Sequence, residues 1–203
     1  MKISDKIKCS NFPCPDIDKN SYVMPSREID AEKIRMLMIT EAPPNEKADY
    51  FYSAGNPFYL QTILQAFRDA GSAVSSMQDI LDLGVYITTA IKCGKTQYVI
   101  SSETMKNCSK LLEQELALFP AIKVFMLMGD VAIKIMNDIW KRQTGEKVIP
   151  AGSTYKIRGQ AYYEGNRRVF PSYTPAGKNF LIEKSKRRMV AEDIREALIW
   201  LTL

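Results

Sequence analysis

The chain has 203 residues, of which 46% are apolar, and it carries a net charge of +5. These totals are typical of one globular domain with a full core, and the mild positive excess is compatible with a nucleic-acid partner without requiring one. The longest apolar run is far shorter than the ~20 residues of a membrane span, and the N-terminus lacks the apolar core of a signal peptide. We therefore expect a single domain over residues 1–203 that is cytoplasmic, monomeric and free of membrane contact.

Strand and helix patterns alternate along the chain after a polar segment at residues 1–33, which carries three prolines and predicts an extended loop. Short apolar or β-branched runs predict four strands, at residues 35–40, 84–92, 123–129 and within 167–175. A helical pattern follows each run, at residues 56–71, 101–119, 130–143 and 183–201. The alternation predicts an α/β fold: a three-layer αβα sandwich around a central four-stranded, mostly parallel sheet.

Ligands of such folds bind at the loops that follow the carboxyl ends of the strands. In this chain those loops are residues 41–58, 88–97, 128–130 and 173–179. We expect them to line one crevice, which is the predicted position of the functional site.

The chain has four cysteines, Cys9, Cys14, Cys93 and Cys108, and no histidine. Lasting disulfides are not expected in a reducing cytosol, and the missing histidine excludes a mixed Cys/His zinc site. Taken singly, Cys108 fits a small core residue and Cys93 an idle loop thiol. Taken together, four thiolates suit a [4Fe–4S] cluster, which is our prediction; a structural zinc ion, or no metal at all, is the alternative.

Five stretches of the chain together resemble the uracil-DNA glycosylase superfamily, most closely its iron–sulfur branch, family 4. They are "MLMITEAP", "GNPF", "VYITTAIKC", "CSKLLEQELALFPAIKVFMLMGDVA" and "VFPSYTPAG". The resemblance implies that Cys9, Cys14, Cys93 and Cys108 ligate a [4Fe–4S] cluster. It also implies a DNA partner, base flipping and hydrolysis of the bond between base and sugar, as in base excision repair.

Four positions depart from the family motifs. Thr40 and Pro44 replace the two glycines of the first motif, and proline has no backbone N–H to donate. Thr89 stands where the family has an asparagine that reads the base, and Thr174 where it has a histidine that stabilises the departing base. A threonine hydroxyl lacks the paired donor and acceptor of an amide.

The resemblance and the loop positions together assign roles to individual residues. Glu41 and Thr174 are the predicted catalytic residues, Glu41 by orienting water or stabilising a cationic sugar. Ala42, Phe58 and Thr89 are predicted to bind the base. A basic cluster beside the last loop is predicted to contact the DNA backbone, and consists of Lys178, Lys184, Lys186, Arg187 and Arg188.

These residues predict an iron–sulfur DNA glycosylase, a hydrolase that removes uracil or another deaminated base. The alternative is a non-catalytic module of the same fold that binds DNA or a nucleotide, and the missing histidine and asparagine favour it.

Overall fold

The computed structural model describes residues 1–202, of which Lys178 and Asn179 are described by their backbone alone. The helices are α1 (Ile3–Lys6), α2 (Phe58–Asp69), α3 (Met77–Asp82), α4 (Ser102–Leu116), α5 (Asp130–Thr144), α6 (Thr154–Ile157), α7 (Lys178–Ile182) and α8 (Lys184–Thr202). The strands are β1 (Ile17–Asp18), β2 (Met36–Thr40), β3 (Val85–Thr89), β4 (Gly94–Lys95), β5 (Val124–Met128), β6 (Tyr162–Glu164) and β7 (Arg167–Ser172).

The central sheet has five strands in the order β3-β2-β5-β7-β6. β3, β2, β5 and β7 run parallel, and β6 pairs antiparallel with β7. The predicted α/β fold with a mostly parallel sheet is confirmed, but the strand number is five and not four. The additional strand, β6, has three residues, none of them buried, and so lacks the apolar run by which the other strands are detected.

The parallel strands are covered on both faces. Every residue of β2, β3 and β5 is buried, which is the pattern of strands between two helical layers. Two helix pairs, α2 with α8 and α4 with α5, flank the sheet, and each of these helices buries one apolar stripe. No described helix is long and apolar enough to cross a membrane.

Tyr52 covers the backbone at the β3 edge of the sheet. Its hydroxyl donates a hydrogen bond to the carbonyl oxygen of Ile87 at 2.8 Å and accepts one from the amide of the same residue at 3.2 Å. Both backbone groups of one edge residue are thereby satisfied within the chain.

The N-terminal segment, residues 1–33, is more ordered than the predicted loop. It contains α1 and β1, and β1 pairs with β4 next to Cys93. The segment buries four isoleucine side chains, those of Ile3, Ile7, Ile17 and Ile29. The pairing of β1 with β4 joins residues more than seventy positions apart, so local composition gave no sign of it.

Candidate active site

A cavity of about 380 Å³ opens at the carboxyl edge of the sheet. It is lined by residues from the loops after β2 and β7, by Lys95 of β4 and the two residues after it, and by one side chain of α2. Three predicted site residues, Glu41, Ala42 and Thr174, lie on its wall. The volume is within the roughly 300–1,000 Å³ that is typical of small-molecule sites.

Glu41 is paired with a lysine that the sequence analysis did not single out. The Lys95 Nζ atom lies 2.8 Å from Glu41 Oε1, and both side chains are half-buried on the cavity wall. The main chain around Glu41 is fixed as well, because its carbonyl oxygen accepts a hydrogen bond from the Ile91 amide at 2.9 Å. The loop after β3 therefore positions the carboxylate that follows β2.

Tyr59 of α2 also lines the cavity, and the sequence analysis missed it. Burial, and then the negative charges of Glu41 and Asp49, raise the pKa of its phenol. The phenol therefore stays protonated beside Glu41 and can donate a hydrogen bond. The sequence signal that could have indicated Tyr59 is its position directly after Phe58, a predicted base-binding residue.

Thr174 contacts the last residue of β5 and Gly129, the residue that follows this strand. The Thr174 hydroxyl donates to the carbonyl oxygen of Met128 at 2.6 Å. Gly129 has a φ of +100°, and a Cβ atom added there would lie 2.9 Å from Thr174 Oγ1. Glycine is therefore required beside Thr174. In this arrangement the hydroxyl proton is engaged, so Thr174 offers an acceptor to the cavity and not a donor.

Phe58 and Thr89 are not among the residues that line this cavity. Phe58 is half-buried at the start of α2, where its amide donates to Asp49 Oδ1 at 3.3 Å. Thr89 is completely buried, and its hydroxyl is the one buried side-chain polar atom without a hydrogen-bond partner in the described part of the chain. Their predicted roles in base binding stay predictions.

The predicted basic cluster is largely paired with carboxylates. Lys186 lies 2.5 Å from Glu183, Arg187 forms an ion pair with Asp69, and Arg188 lies 3.8 Å from Glu192. Lys184 lines a cavity of about 540 Å³ beside the α2–α8 contact. The side chain of Lys178 lies outside the described residues. The predicted DNA contact of this cluster remains a prediction, and its net charge is smaller than the sequence indicates.

The four cysteines come from distant parts of the chain to one region beside β4. Burial, and then the charges of the Cys108, Cys9 and Cys14 thiolates, raise the pKa of Cys93 to about 12. Burial also raises the pKa of Cys108, to about 11. Within residues 1–202 no three Cys, Asp or Glu side chains form a compact metal-binding group. The number and type of the four side chains fit an iron–sulfur or zinc centre, although the described residues do not arrange them as a preformed one.

A buried ion pair supports the turn that carries Cys93. The Lys92 ammonium bonds Glu115 Oε2 at 2.5 Å and Thr88 Oγ1 at 2.9 Å, and the two charged side chains are at most 1% exposed. Glu115 also accepts a hydrogen bond from the Tyr86 hydroxyl at 2.5 Å. This pair fixes α4 against the end of β3. No local sequence pattern reveals this pair, because the partners are 23 residues apart.

Comparison with known proteins identifies the family of the chain. A model of the Uracil DNA glycosylase superfamily matches residues 27–198. The chain belongs to this superfamily. The match covers all four loops that form the carboxyl edge of the sheet, including Glu41, Lys95 and Thr174.

Two individual proteins are similar to this chain at low sequence identity. The chain is 24% identical over 119 residues to the type-5 uracil-DNA glycosylase of Thermus thermophilus, an alignment that covers 59% of this chain and 52% of that protein. The chain thus spans about half the length of the curated relative it matches. A crystal structure of the wild-type UNG from Nitratifractor salsuginis has 14% identity and a TM-score of 0.38, over 85% of this chain and 80% of that one.

Proposed function

We propose that the protein is a DNA glycosylase that removes uracil or another deaminated base by flipping the nucleotide and hydrolysing the bond between base and sugar. The observation that carries the proposal is the cavity at the carboxyl edge of the sheet, where Glu41, Lys95 and Thr174 meet in a member of the glycosylase superfamily. A cavity on this edge can receive a base only after the base has left the helical stack.

In this mechanism Glu41 acts on the sugar side of the broken bond. Positive charge develops on the sugar as the base departs, and a carboxylate stabilises that charge or orients the attacking water. The 2.8 Å contact with Lys95 keeps the carboxylate on the cavity wall. The half-buried position strengthens the electrostatic effect compared with bulk water.

The base side needs a donor for the negative charge that the departing base acquires. The chain has no histidine, and the proton of Thr174 is already donated to Met128. Among the residues on the cavity wall, Lys95 carries a positive charge and N–H donors. We assign to Lys95 the role of donor to the departing base, with Asn45 and Gln97 as neutral donors beside it.

Base excision is tested with oligonucleotides that carry a single uracil, hypoxanthine or xanthine, in single-stranded and duplex form. Alkali-labile strand breaks are expected at one or more of these bases. Glu41→Gln should reduce them by about 100-fold or more, since the loss of one group that stabilises transition-state charge costs ~10²–10³ in rate. The matched control is Glu46→Gln, an exposed carboxylate of the same loop that does not line the cavity. Equal activity of the two variants would contradict the assignment of Glu41.

The second candidate function is a non-catalytic module that binds DNA or a nucleotide. The engaged hydroxyl of Thr174 and the buried hydroxyl of Thr89 favour it, because the first has already donated its proton and the second does not reach the cavity. Salt-sensitive DNA binding without strand breaks at any of the three bases would support this function over excision.

We also propose that Cys9, Cys14, Cys93 and Cys108 hold a [4Fe–4S] cluster, with zinc as the alternative. Bound there, the cluster would supply a covalent link between the N-terminal segment and the β3–α4 edge, which is a structural role. Protein purified without oxygen should contain iron and sulfide and absorb visible light. Cys14→Ser should reduce the content of both iron and sulfide. A colourless wild-type protein that contains zinc would support the zinc site instead.

A further inference from the structure

A second and larger cavity lies between the N-terminal segment and the loop that leads to α2. Its volume is about 1,000 Å³, and its wall includes Cys9, residues 22–24, residues 26–27 and residues 50–55. None of the described residues that line it is acidic, whereas Lys8, Arg27 and Lys47 all contribute to it. The cavity is therefore an electropositive environment.

The three cations of this cavity are not neutralised by neighbours. Lys8, Arg27 and Lys47 are exposed, and none of them forms an ion pair within residues 1–202. The basic cluster near α8 differs in this respect, because three of its members are paired with carboxylates. Unpaired surface cations that surround a cavity are suited to bind phosphate groups.

The same cavity has aromatic walls. Phe12 and Tyr22 both line it and contact each other edge to face, with ring centroids 5.3 Å apart. The position of Tyr22 is fixed by its hydroxyl, which accepts a hydrogen bond from the Cys9 amide at 3.2 Å. Nucleic-acid bases stack on aromatic faces while basic side chains nearby bind the phosphates, and this cavity offers both kinds of group.

Phe12 is held in a costly backbone conformation. Its φ is +43°, and it is the one residue other than glycine with a positive φ in the described chain. This region costs a bulky residue of order 1–3 kcal/mol and is concentrated at functional sites. A strained conformation persists only where its surroundings impose it, and here the short loop between Cys9 and Cys14 places the Phe12 ring on the cavity wall.

We propose that this cavity binds a nucleotide, with the base against Phe12 and Tyr22 and the phosphate near Arg27 and Lys47. The site is separate from the excision cavity, since the two share no lining residue. The proposal therefore does not depend on whether the protein removes bases. Two sources supply this chemistry: a nucleotide within single-stranded DNA, or a free mononucleotide.

The first test compares two double variants that lose the same charge. Arg27→Gln with Lys47→Gln changes the cavity, and Lys110→Gln with Lys141→Gln removes two exposed lysines that line neither cavity. Binding of fluorescent (dT)5 is measured by anisotropy over a range of salt concentrations. The cavity variant should lower the magnitude of the slope of log affinity against log salt by about 0.7, because Arg27 and Lys47 are proposed to share one phosphate and each single-strand phosphate contact contributes ~0.7. Equal slopes for the two variants would overturn the proposal.

The second test locates the base directly. A (dT)5 oligonucleotide that contains one 4-thiothymidine is irradiated with the wild-type protein, and the cross-linked tryptic peptides are identified by mass spectrometry. We expect cross-links in residues 9–19 or 20–27, which contain Phe12 and Tyr22. Cross-links confined to the excision cavity would overturn the proposal. Competition by thymidine monophosphate would assign the site to free nucleotides, and its failure to compete would assign the site to a strand.

Discussion

Lys95 stands at the point where the loops after β2 and β3 meet. Its amine bonds Glu41 at 2.8 Å and also lies 5.6 Å from the centre of the Tyr98 ring. Lys95→Met should lower the single-turnover rate of excision by about 100-fold, because both the donor to the base and the partner of Glu41 are lost. Lys95→Arg, which keeps the charge, should retain part of the rate. If the methionine variant keeps full activity while its thermal unfolding is unchanged, the donor role is wrong.

Gly129 makes a second prediction at the scale of one residue. Gly129→Ala should destabilise the fold both through its φ of +100° and through the 2.9 Å approach to Thr174. Gly71→Ala is the matched control, since its φ is +96° but nothing lies within 4 Å of the added Cβ. Chemical denaturation should show an additional loss of about 1–3 kcal/mol for Gly129→Ala, which is the usual cost of overpacking. Equal losses would mean that Thr174 moves aside without cost.

The residues of the site differ in how visible they were from the sequence. Glu41 and Thr174 follow strands that the apolar runs reveal, so their meeting at one edge was predictable. Lys95 was not predictable as a partner, because its contact with Glu41 spans 54 residues and depends on how two loops fold. Thr89 lies at a predicted strand end, but its complete burial depends on the packing above β3.

At the scale of elements, the contact between α2 and α8 carries a pH-dependent ion pair. The hydrogen bond from Arg187 holds the pKa of Asp69 below its usual value, so the folded state favours the ionised carboxylate. The resulting stabilisation is present above the unfolded pKa of ~3.9 and is lost as the pH falls through the lowered folded value.

Asp69→Asn should therefore lower the free energy of unfolding at pH 7 by about 0.5–1 kcal/mol, a small value because both side chains are partly exposed. The difference from wild type should shrink as the pH falls below ~4, as measured by denaturation at several pH values. Arg187→Gln should flatten the same dependence. A difference that is constant down to the acid range would exclude this pair as its source.

The buried pair of Lys92 and Glu115 gives a larger effect between β3 and α4. Glu115→Gln keeps the shape of the side chain but leaves a buried ammonium without its counter-charge, which should lower the free energy of unfolding by about 3–5 kcal/mol. The control is Glu113→Gln on the same helix, because Glu113 pairs with the exposed Arg142. This substitution should lower the free energy of unfolding by less than about 1 kcal/mol. Denaturant unfolding compares the two. Similar losses would show that the buried pair is dispensable.

The elements themselves were largely predictable, and the exceptions have physical reasons. The parallel strands are continuous apolar runs, whereas β6 is short and unburied. Helix α3 has six residues, too few for a periodic pattern, although Ser76 and Asp79 form a capping box that is visible in the sequence. Strand β1 pairs with a segment more than seventy residues away, which no local pattern reveals.

At the scale of the whole molecule, Gly94 joins three separate parts of the chain. Its amide donates to Ser21 Oγ at 2.6 Å, and a Cβ atom added there would overlap Asn45 Oδ1 and lie 2.9 Å from Ser21 Oγ. The N-terminal segment, the loop after β2 and the loop after β3 therefore meet where only glycine fits.

Gly94→Ala should loosen the N-terminal segment and disturb the excision cavity together. Limited trypsin digestion should cut faster after Lys19 and Arg27, and excision should fall because Asn45 shifts on the cavity wall. Gly159→Ala, where the added Cβ meets nothing within 4 Å, is the control and should change neither. Faster proteolysis with unchanged excision would show that the two regions are independent.

The hydroxyl of Tyr52 has a consequence for how the protein behaves at high concentration. An edge strand with free amides and carbonyls can pair with a strand of another molecule and so start aggregation. At Ile87 both groups are already occupied by one phenol. Tyr52→Phe would leave the Ile87 amide and carbonyl without this partner. Self-association of the folded protein through the β3 edge would then be the expected result.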